Sequence, residues 1–472
     1  MSLNFSSQIA GLPPALFRAE IRPAGEIIYH PLAAVDMASR ELKFHPNGGC
    51  EGWVMAEGDC AADFRFQLPF PVEEAIFRPS LRQQTVLQLQ KNTVELTLIP
   101  GQYGMLEINL HSNRSPGCCI AVFFDAPLPP PTGRTPLFIP AGFHLPGELH
   151  CCPGEYLHLL PGIHEIEGGR ILPQSGDSIY LEPGAIIRAG VAAEECRDLA
   201  ISGHGIFDGS FMPRTVEENW QGRADDSFIH FYKGENILLQ GALFYNPPYW
   251  IIVPEGTRRC TIRDCKTIAW TCNSDAVQPR SCHNLQVTHC FFKCDDDGVA
   301  VKTRSSLGKD SRNLEFREII FCNEAASCME IGHSSQGDLL ENVLFRDIEC
   351  IRSFWGYCHI FLVDHSIIRN IKYENIFIEN NLRRIPEISF SIAASEYASD
   401  GEFGRIDGIT ISNLHVEDQF RGIFLRGADA SHGITGLRIK EIVVHSSESI
   451  HTLTSLDGIP IDMRYADSPE YV

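Results

Sequence analysis

No stretch of the chain reaches the roughly 18 apolar residues needed to cross a membrane as a helix. The opening residues, MSLNFSSQIAGLPPALFRAEIRP, carry no basic segment and no long apolar segment, so they do not read as a secretory leader. The expectation is a soluble, cytoplasmic chain, although a secreted form with its leader removed would read the same. Positive charge is also scarce: 39 Lys plus Arg against 60 Asp plus Glu gives 39 − 60 = −21 with His neutral. Binding nucleic acid or an anionic membrane needs clustered cations to neutralise phosphates, so neither is expected as a partner. The same deficit works against long-range attraction of a polyanionic substrate, unless local charge overrides it. Among the 17 cysteines, an odd number, there is no CxxC pair and no zinc spacing. Cys118–Cys119 and Cys151–Cys152 are adjacent in sequence, and all are read as reduced thiols that act as small buried hydrophobes.

What is present is ordinary for a folded protein: 44% apolar and 21% charged residues over 472 positions. That length allows two or three domains with ample core. The first 125 or so residues hold short strand-like runs, TVLQLQ (Thr85–Gln90), VELTLI (Val94–Ile99) and CIAVFF (Cys119–Phe124), broken by Gly, Pro and Asn. This pattern predicts a β-sandwich over 1–130. PLPPPTGRTP (Pro127–Pro136) is stiff and extended, and marks the boundary.

Beyond it, short apolar runs recur, most with Asn or Gly ahead of them. They begin at Asn236, Cys260, Asn284, Asn313, Asn342 and Asn370, in steps of 24, 24, 29, 29 and 28; Gly408 and Gly436 are 28 apart. Each unit is rich in β-branched residues and has no amphipathic stretch of helix length. A period of this size marks a stacked repeat, so residues 131–472 are predicted to form a parallel β-helix, one coil per repeat. Coils stack about 4.8 Å apart, so residues one coil apart sit above each other on one face.

One segment concentrates acid: WTCNSDAVQPRSCHNLQVTHCFFKCDDDGVAVKT (Trp270–Thr303). Asp275 precedes Asp296 by 21 residues and Asp297 by 22, about one short coil, which places it over the pair. Carboxylates this close cannot all ionise cheaply, so they titrate as a unit and one is kept protonated, as glycoside hydrolysis requires. By themselves, the three consecutive Asp residues (Asp295–Asp297) also fit a solvated turn or an oxygen-ligand site for Ca²⁺.

At these residues the sequence resembles the polygalacturonases, glycoside hydrolase family 28. Asn273-Ser274-Asp275 resembles the family's Asn-Thr-Asp, and Asp296-Asp297-Gly298-Val299-Ala300-Val301 its Asp-Asp motif. Gly332-His333-Ser334 resembles its Gly-His-Gly. GHGIFDG (Gly203–Gly209) and NPPYW (Asn246–Trp250) are similar to its entry coils, and the likeness covers roughly residues 175–380. The family's Arg-Ile-Lys, which holds a uronate carboxylate, has no counterpart in GYCHIFLVD (Gly356–Asp364), and the Asp that usually follows the first motif is Gln278. The layout is also similar to the dextranase and isopullulanase family, family 49, which joins an N-terminal sandwich to a β-helix with three Asp and acts on neutral α-glucans. FIPAGFH (Phe138–His144) and IYLEPGAIIRAG (Ile179–Gly190) are similar to its junction. The resemblance implies an all-β chain, with an N-terminal sandwich followed by a right-handed parallel β-helix of pectin-lyase type.

It also implies roles. Asp296 would be the general acid of an inverting hydrolase, with Asp275 and Asp297 as bases that polarise water. Inversion needs acid and base carboxyls about 6.5–9.5 Å apart, more than stacking alone provides, so side-chain direction must supply the rest. His333 would orient the acid or touch substrate, and Asn273 would contact substrate or fix Asp275. Tyr249, Trp250, Trp270 and Trp355 are candidates for stacking on sugar faces, although a single aromatic is more often core. His359 and Glu330 are candidates for binding a sugar hydroxyl; a core His and a solvated strand Glu are the blander readings. Lys302 and Arg304 either neutralise the Asp pair or are surface cations. The expected partner is a carbohydrate substrate, pectic or neutral α-glucan, with no cofactor, no metal and a possible homo-oligomer. The rival readings are a Ca²⁺-dependent polysaccharide lyase or epimerase and a non-catalytic glycan-binding β-helix.

Overall fold

Phe64 and Phe66 on one strand and Val94, Leu96 and Leu98 on the next are buried at every second position, the period of a half-buried sheet. In the computed structural model these strands pair antiparallel, with Phe64 opposite Leu96 and Phe66 opposite Val94. The structure describes residues 3–4, 9, 11–37, 50–82, 85–110, 116–212, 227–323, 325–379, 385–445, 450–453, 455 and 457–472. No α-helix occurs among them.

The N-terminal region forms two sheets. One has five strands in the order His30–Leu32, Arg18–Pro23, Ala62–Gln67, Thr93–Leu98, Leu87–Gln90. The other has six, with Cys50–Gly58, Pro116–Asp125 and Gln102–Leu110 at its centre. Their facing sides share one core, in which Phe64 meets Phe124 edge-on at 5.4 Å. The outer side of the six-stranded sheet is apolar as well: Trp53, Tyr103, Cys119 and Phe123 pack against Tyr245, Ile268, Trp270 and Phe291 of the C-terminal region. Burial on both faces explains the unbroken run CIAVFF. Cys118 enters the sandwich core and Cys119 the second cluster, so the adjacent thiols serve different cores. Sixteen of the cysteines, Cys50 aside, are unbridged.

From Thr135–Ile139 onward the strands pair in parallel, each with its counterpart one coil later. Leu285, Leu314, Val343, Ile371 and Ile409 form one inward column. The residue ahead of each turns the corner in the left-handed region: Asn284, Asn313, Asn342 and Asn370 have φ between 54° and 58°, and Gly408 has φ 66°. Asn and Gly are the residues that tolerate this conformation, which is why they punctuate the repeat. The asparagines also form a ladder, Asn313 Nδ2 to Asn284 Oδ1 at 3.0 Å and Asn342 Nδ2 to Asn313 Oδ1 at 3.0 Å. The reading at Cys260 is corrected by one position: Arg259, with φ 53°, occupies the corner, and Cys260 is the inward residue beside Leu285.

A shorter sheet, Val299–Val301, Met329–Ile331, Cys358–Leu362, Glu387–Ile392, Gly422–Arg426 and Ile461–Arg464, forms another side of the solenoid. Single bridges extend it upstream from Val299 to Val277 and Ile252. Near the C-terminus Ile450–Leu453 folds back antiparallel on Ile442–His445, pairing an edge that would otherwise stay open.

Candidate active site

The short sheet builds the site through its register. Val277 bridges Val299, and Val299 pairs with Met329, so Asp275, Asp297 and Ser327, each two residues earlier, share one column. The Ala276 N–H donates to the Asp297 carbonyl at 3.0 Å, and the Gly298 N–H to the Ser327 carbonyl at 2.8 Å. A Cβ at Gly298 would stand 2.4 Å from the Phe321 ring and 2.7 Å from the Cys328 carbonyl, so only Gly fits beside Asp297.

One carboxylate oxygen from each of Asp275, Asp296 and Asp297 lies within 4.8 Å of the other two. Side-chain direction therefore does not open the wider gap expected for inversion. Asp296 is held by main-chain donors: Asn273 N–H to Oδ2 and Asp297 N–H to Oδ1, both at 2.9 Å. Asn273, expected to contact substrate or fix Asp275, instead holds Asp296 through its backbone N–H, from a left-handed turn with φ 60°. Asp297 Oδ1 accepts from the Ser327 N–H at 3.0 Å. Asp275 accepts from the Gln278 amide, and Lys302 Nζ stands 4.0 Å from its Oδ2.

These environments act on Asp296 and Asp297 in the same direction. Burial, then the charge of Asp275, pushes Asp296 up to about 7 against the pull of its two N–H donors and Lys302. Burial, then Asp296 and Asp275, raises Asp297 well above the carboxylate range. Asp275 is the acid with an amide donor and an ammonium beside it.

Alternate residues of the same strands face outward. Ala300, Glu330, His359 and Ser389 form one outward row. Glu330 is buried and hydrogen-bonded to His359 Nδ1, which also lies 3.2 Å from Ser327 Oγ. The other Glu330 oxygen has no partner among the described residues. In the adjacent row, Lys302 bridges Arg280 and Arg280 bridges Glu255. Glu255 collects His230 at 3.1 Å, Arg280 at 3.7 Å and Arg304 at 3.9 Å. Burial raises its carboxyl, but these partners outweigh that and hold it low. Arg280, buried and facing Arg304, drops to about 10.

Several expectations change. Trp270 is buried between sandwich and β-helix, edge-on to Tyr245 at 5.9 Å, so it is not a sugar platform. Tyr249 and Trp250 pack edge-on to each other at 4.8 Å, and the Arg280 guanidinium covers the Trp250 ring at 4.2 Å, so neither presents a free face. His333 makes no hydrogen bond among the described residues; its ring stacks on Phe361 at 5.5 Å and meets Tyr397 edge-on at 4.9 Å. Burial lowers its pKa. Glu330 is not a solvated strand residue, and Lys302 and Arg304 are not ordinary surface cations. Trp355 is exposed in the turn whose N–H donates to the Ala326 carbonyl, one residue before Ser327.

Sequence reading missed Ser327, Arg280, Glu255, His230 and Tyr397. The first four follow from strand alternation and coil register once the sheet is drawn. Tyr397 lies in a loop outside the strand rows and close enough to feel the charge of Asp296; no sequence signal marks it.

The profile of "Glycosyl hydrolases family 28" matches residues 182–418, half of the chain and all of the carboxylate cluster. The chain belongs to glycosyl hydrolase family 28. A curated relative, a probable polygalacturonase of Vitis vinifera, is 22% identical, and the match spans 49% of each chain, about half the relative's length. Among solved structures, Dex49A of Penicillium minioluteum aligns with a TM-score of 0.61 at 13% identity, over 93% of this chain and 86% of its own. The polygalacturonase of Erwinia carotovora ssp. carotovora aligns with a TM-score of 0.56 at 15% identity, over 72% of this chain and 98% of its own. The shared fold is the right-handed parallel β-helix. The match to Dex49A is too extensive to leave out the N-terminal sandwich, so this family 28 chain has that protein's layout as well.

Proposed function

We propose that this family 28 chain is an inverting glycoside hydrolase that cuts a poly- or oligosaccharide of pectic or neutral α-glucan type at Asp275, Asp296 and Asp297. The observation that carries the reading is the unequal environment of three carboxyls within 4.8 Å of one another. Asp296, pushed up to about 7, keeps a proton for the leaving glycosidic oxygen. Asp275, beside Lys302 and Gln278, serves as the base. Asp297 shares the proton load with Asp296 and completes the water site with Asp275. The cluster is tighter than the about 6.5–9.5 Å of a typical inverting pair, so the water is held within it and Asp296 reaches outward to the leaving group. His359, oriented by Glu330, faces the cleft where the family's two cations are missing.

The test is a panel of polygalacturonate, dextran and related polymers, with and without chelator, alongside Asp296→Asn. The expected result is chelator-resistant reducing ends that the variant does not release. Three carboxylates could instead hold Ca²⁺ for a lyase, which would give chelator-sensitive unsaturated product and overturn the role assignments. Glycan binding unchanged in Asp296→Asn, with no product from either protein, would identify a non-catalytic binder.

A further inference from the structure

The cleft is closed on one side of the carboxylates and open on the other. Ile252 bridges Val277, so Trp250 occupies the column of Asp275, one coil upstream. Outward side chains of an open cleft are wetted. Here Trp250 is 4% exposed and Arg280 1%, and His230, Glu255 and Tyr249 are buried with them. A continuous chain of contacts joins this wall to the base. Gln278 donates to Asp275, Arg280 Nε donates to Gln278 Oε1 at 2.5 Å, Arg280 covers Trp250, and Glu255 ties Arg280 to His230. Downstream the picture reverses. Trp355 is 55% exposed and Tyr397 40%, with Phe354 exposed beside Trp355.

A glycan cut in its interior needs room for sugars on both sides of the scissile bond. The upstream wall leaves no floor for a continuing chain, because opening it would strip partners from a buried guanidinium and two buried acids. We infer that the enzyme is exo-acting: a terminal sugar lies over the carboxylates with its free end stopped by the Trp250–Arg280 wall, and the rest of the glycan leaves past Trp355 and Tyr397. This rests on the hydrolase reading above and adds the substrate class, a free chain end.

Polygalacturonate and dextran are each digested while viscosity, reducing ends and product sizes are followed together. One short product of fixed size from the earliest sample, with viscosity lagging behind reducing ends, is expected. A ladder of sizes with early collapse of viscosity would overturn the proposal and leave the hydrolase intact. No hydrolysis of any polymer would overturn both. Trp355→Ala, an exposed site that should not disturb folding, is expected to lower kcat/KM about tenfold on long chains and leave the shortest cleavable oligosaccharide within twofold. Equal losses on both would count against the open downstream path.

Discussion

Asp296 and Asp297 are adjacent in sequence, yet each owes its behaviour to a different coil: Asp296 to the Asn273 turn above, Asp297 to the Ser327 N–H below. Replacing Asp296 by Asn keeps one of the two N–H contacts, turns an amide NH2 towards the other donor, and removes the carboxyl proton that the proposed mechanism uses. A fall in kcat of about 10²–10⁴-fold with KM changed only a fewfold is expected. In the proposed role the protonated form of Asp296 is the working one, so activity should fall as pH rises through about 7. Lys302 favours the ionised form, so Lys302→Met should raise the pKa and move that alkaline limb upward, read from a kcat/KM profile. The three aspartates were legible in the sequence because 22 residues is one coil and stacking is all that joins them. The aromatics were not legible, because a Trp at a sugar site and a Trp between two packed domains have the same composition. Trp270 proved to be the second kind.

At the scale of the element, the recurring Asn is a backbone requirement before it is a contact. Asn342 holds φ 58° and bonds to the asparagines on both sides, donating to Asn313 and accepting from Asn370. Asn342→Ala loses both ladder bonds and strains the left-handed corner. Asn342→Gly loses the bonds alone. Urea unfolding should show Ala costing about 1–3 kcal/mol, and Gly less. The repeat was readable for the same reason: few residues accept that corner, so they recur at its period. It failed at Cys260, where Arg259 takes the corner and no Asn marks it. The Glu330–His359 pair was half-legible. The 29-residue step aligns the two, but only strand alternation shows that both face outward.

At the scale of the molecule, the sandwich lies along the flank of the coils, anchored by charge as well as by apolar surface. Lys266, fully buried, reaches Asp125 at 2.6 Å, while Arg78 joins Glu107 to Glu379 and Glu107 also meets Arg352. These are constraints on docking that composition could not show, since Lys266–Asp125, Arg78–Glu379 and Glu107–Arg352 each join residues more than a hundred positions apart. Glu349 in the same region, buried near Glu379, is pushed up to about 8. The folded state therefore holds a proton that the unfolded state releases above its ordinary range. Stability should decline as pH rises from about 5 to about 8 and level off above, by about 1.4 kcal/mol per unit at the steepest. Glu349→Gln removes this slope, so its Tm advantage over the parent should widen across that window.

The most direct test of the three-carboxylate mechanism is the anomeric configuration of the first product, followed by proton NMR before mutarotation. Release of the anomer opposite to that of the cleaved bond is expected of a single displacement by water held within the cluster. Release of the same anomer, or of an unsaturated sugar, would contradict it.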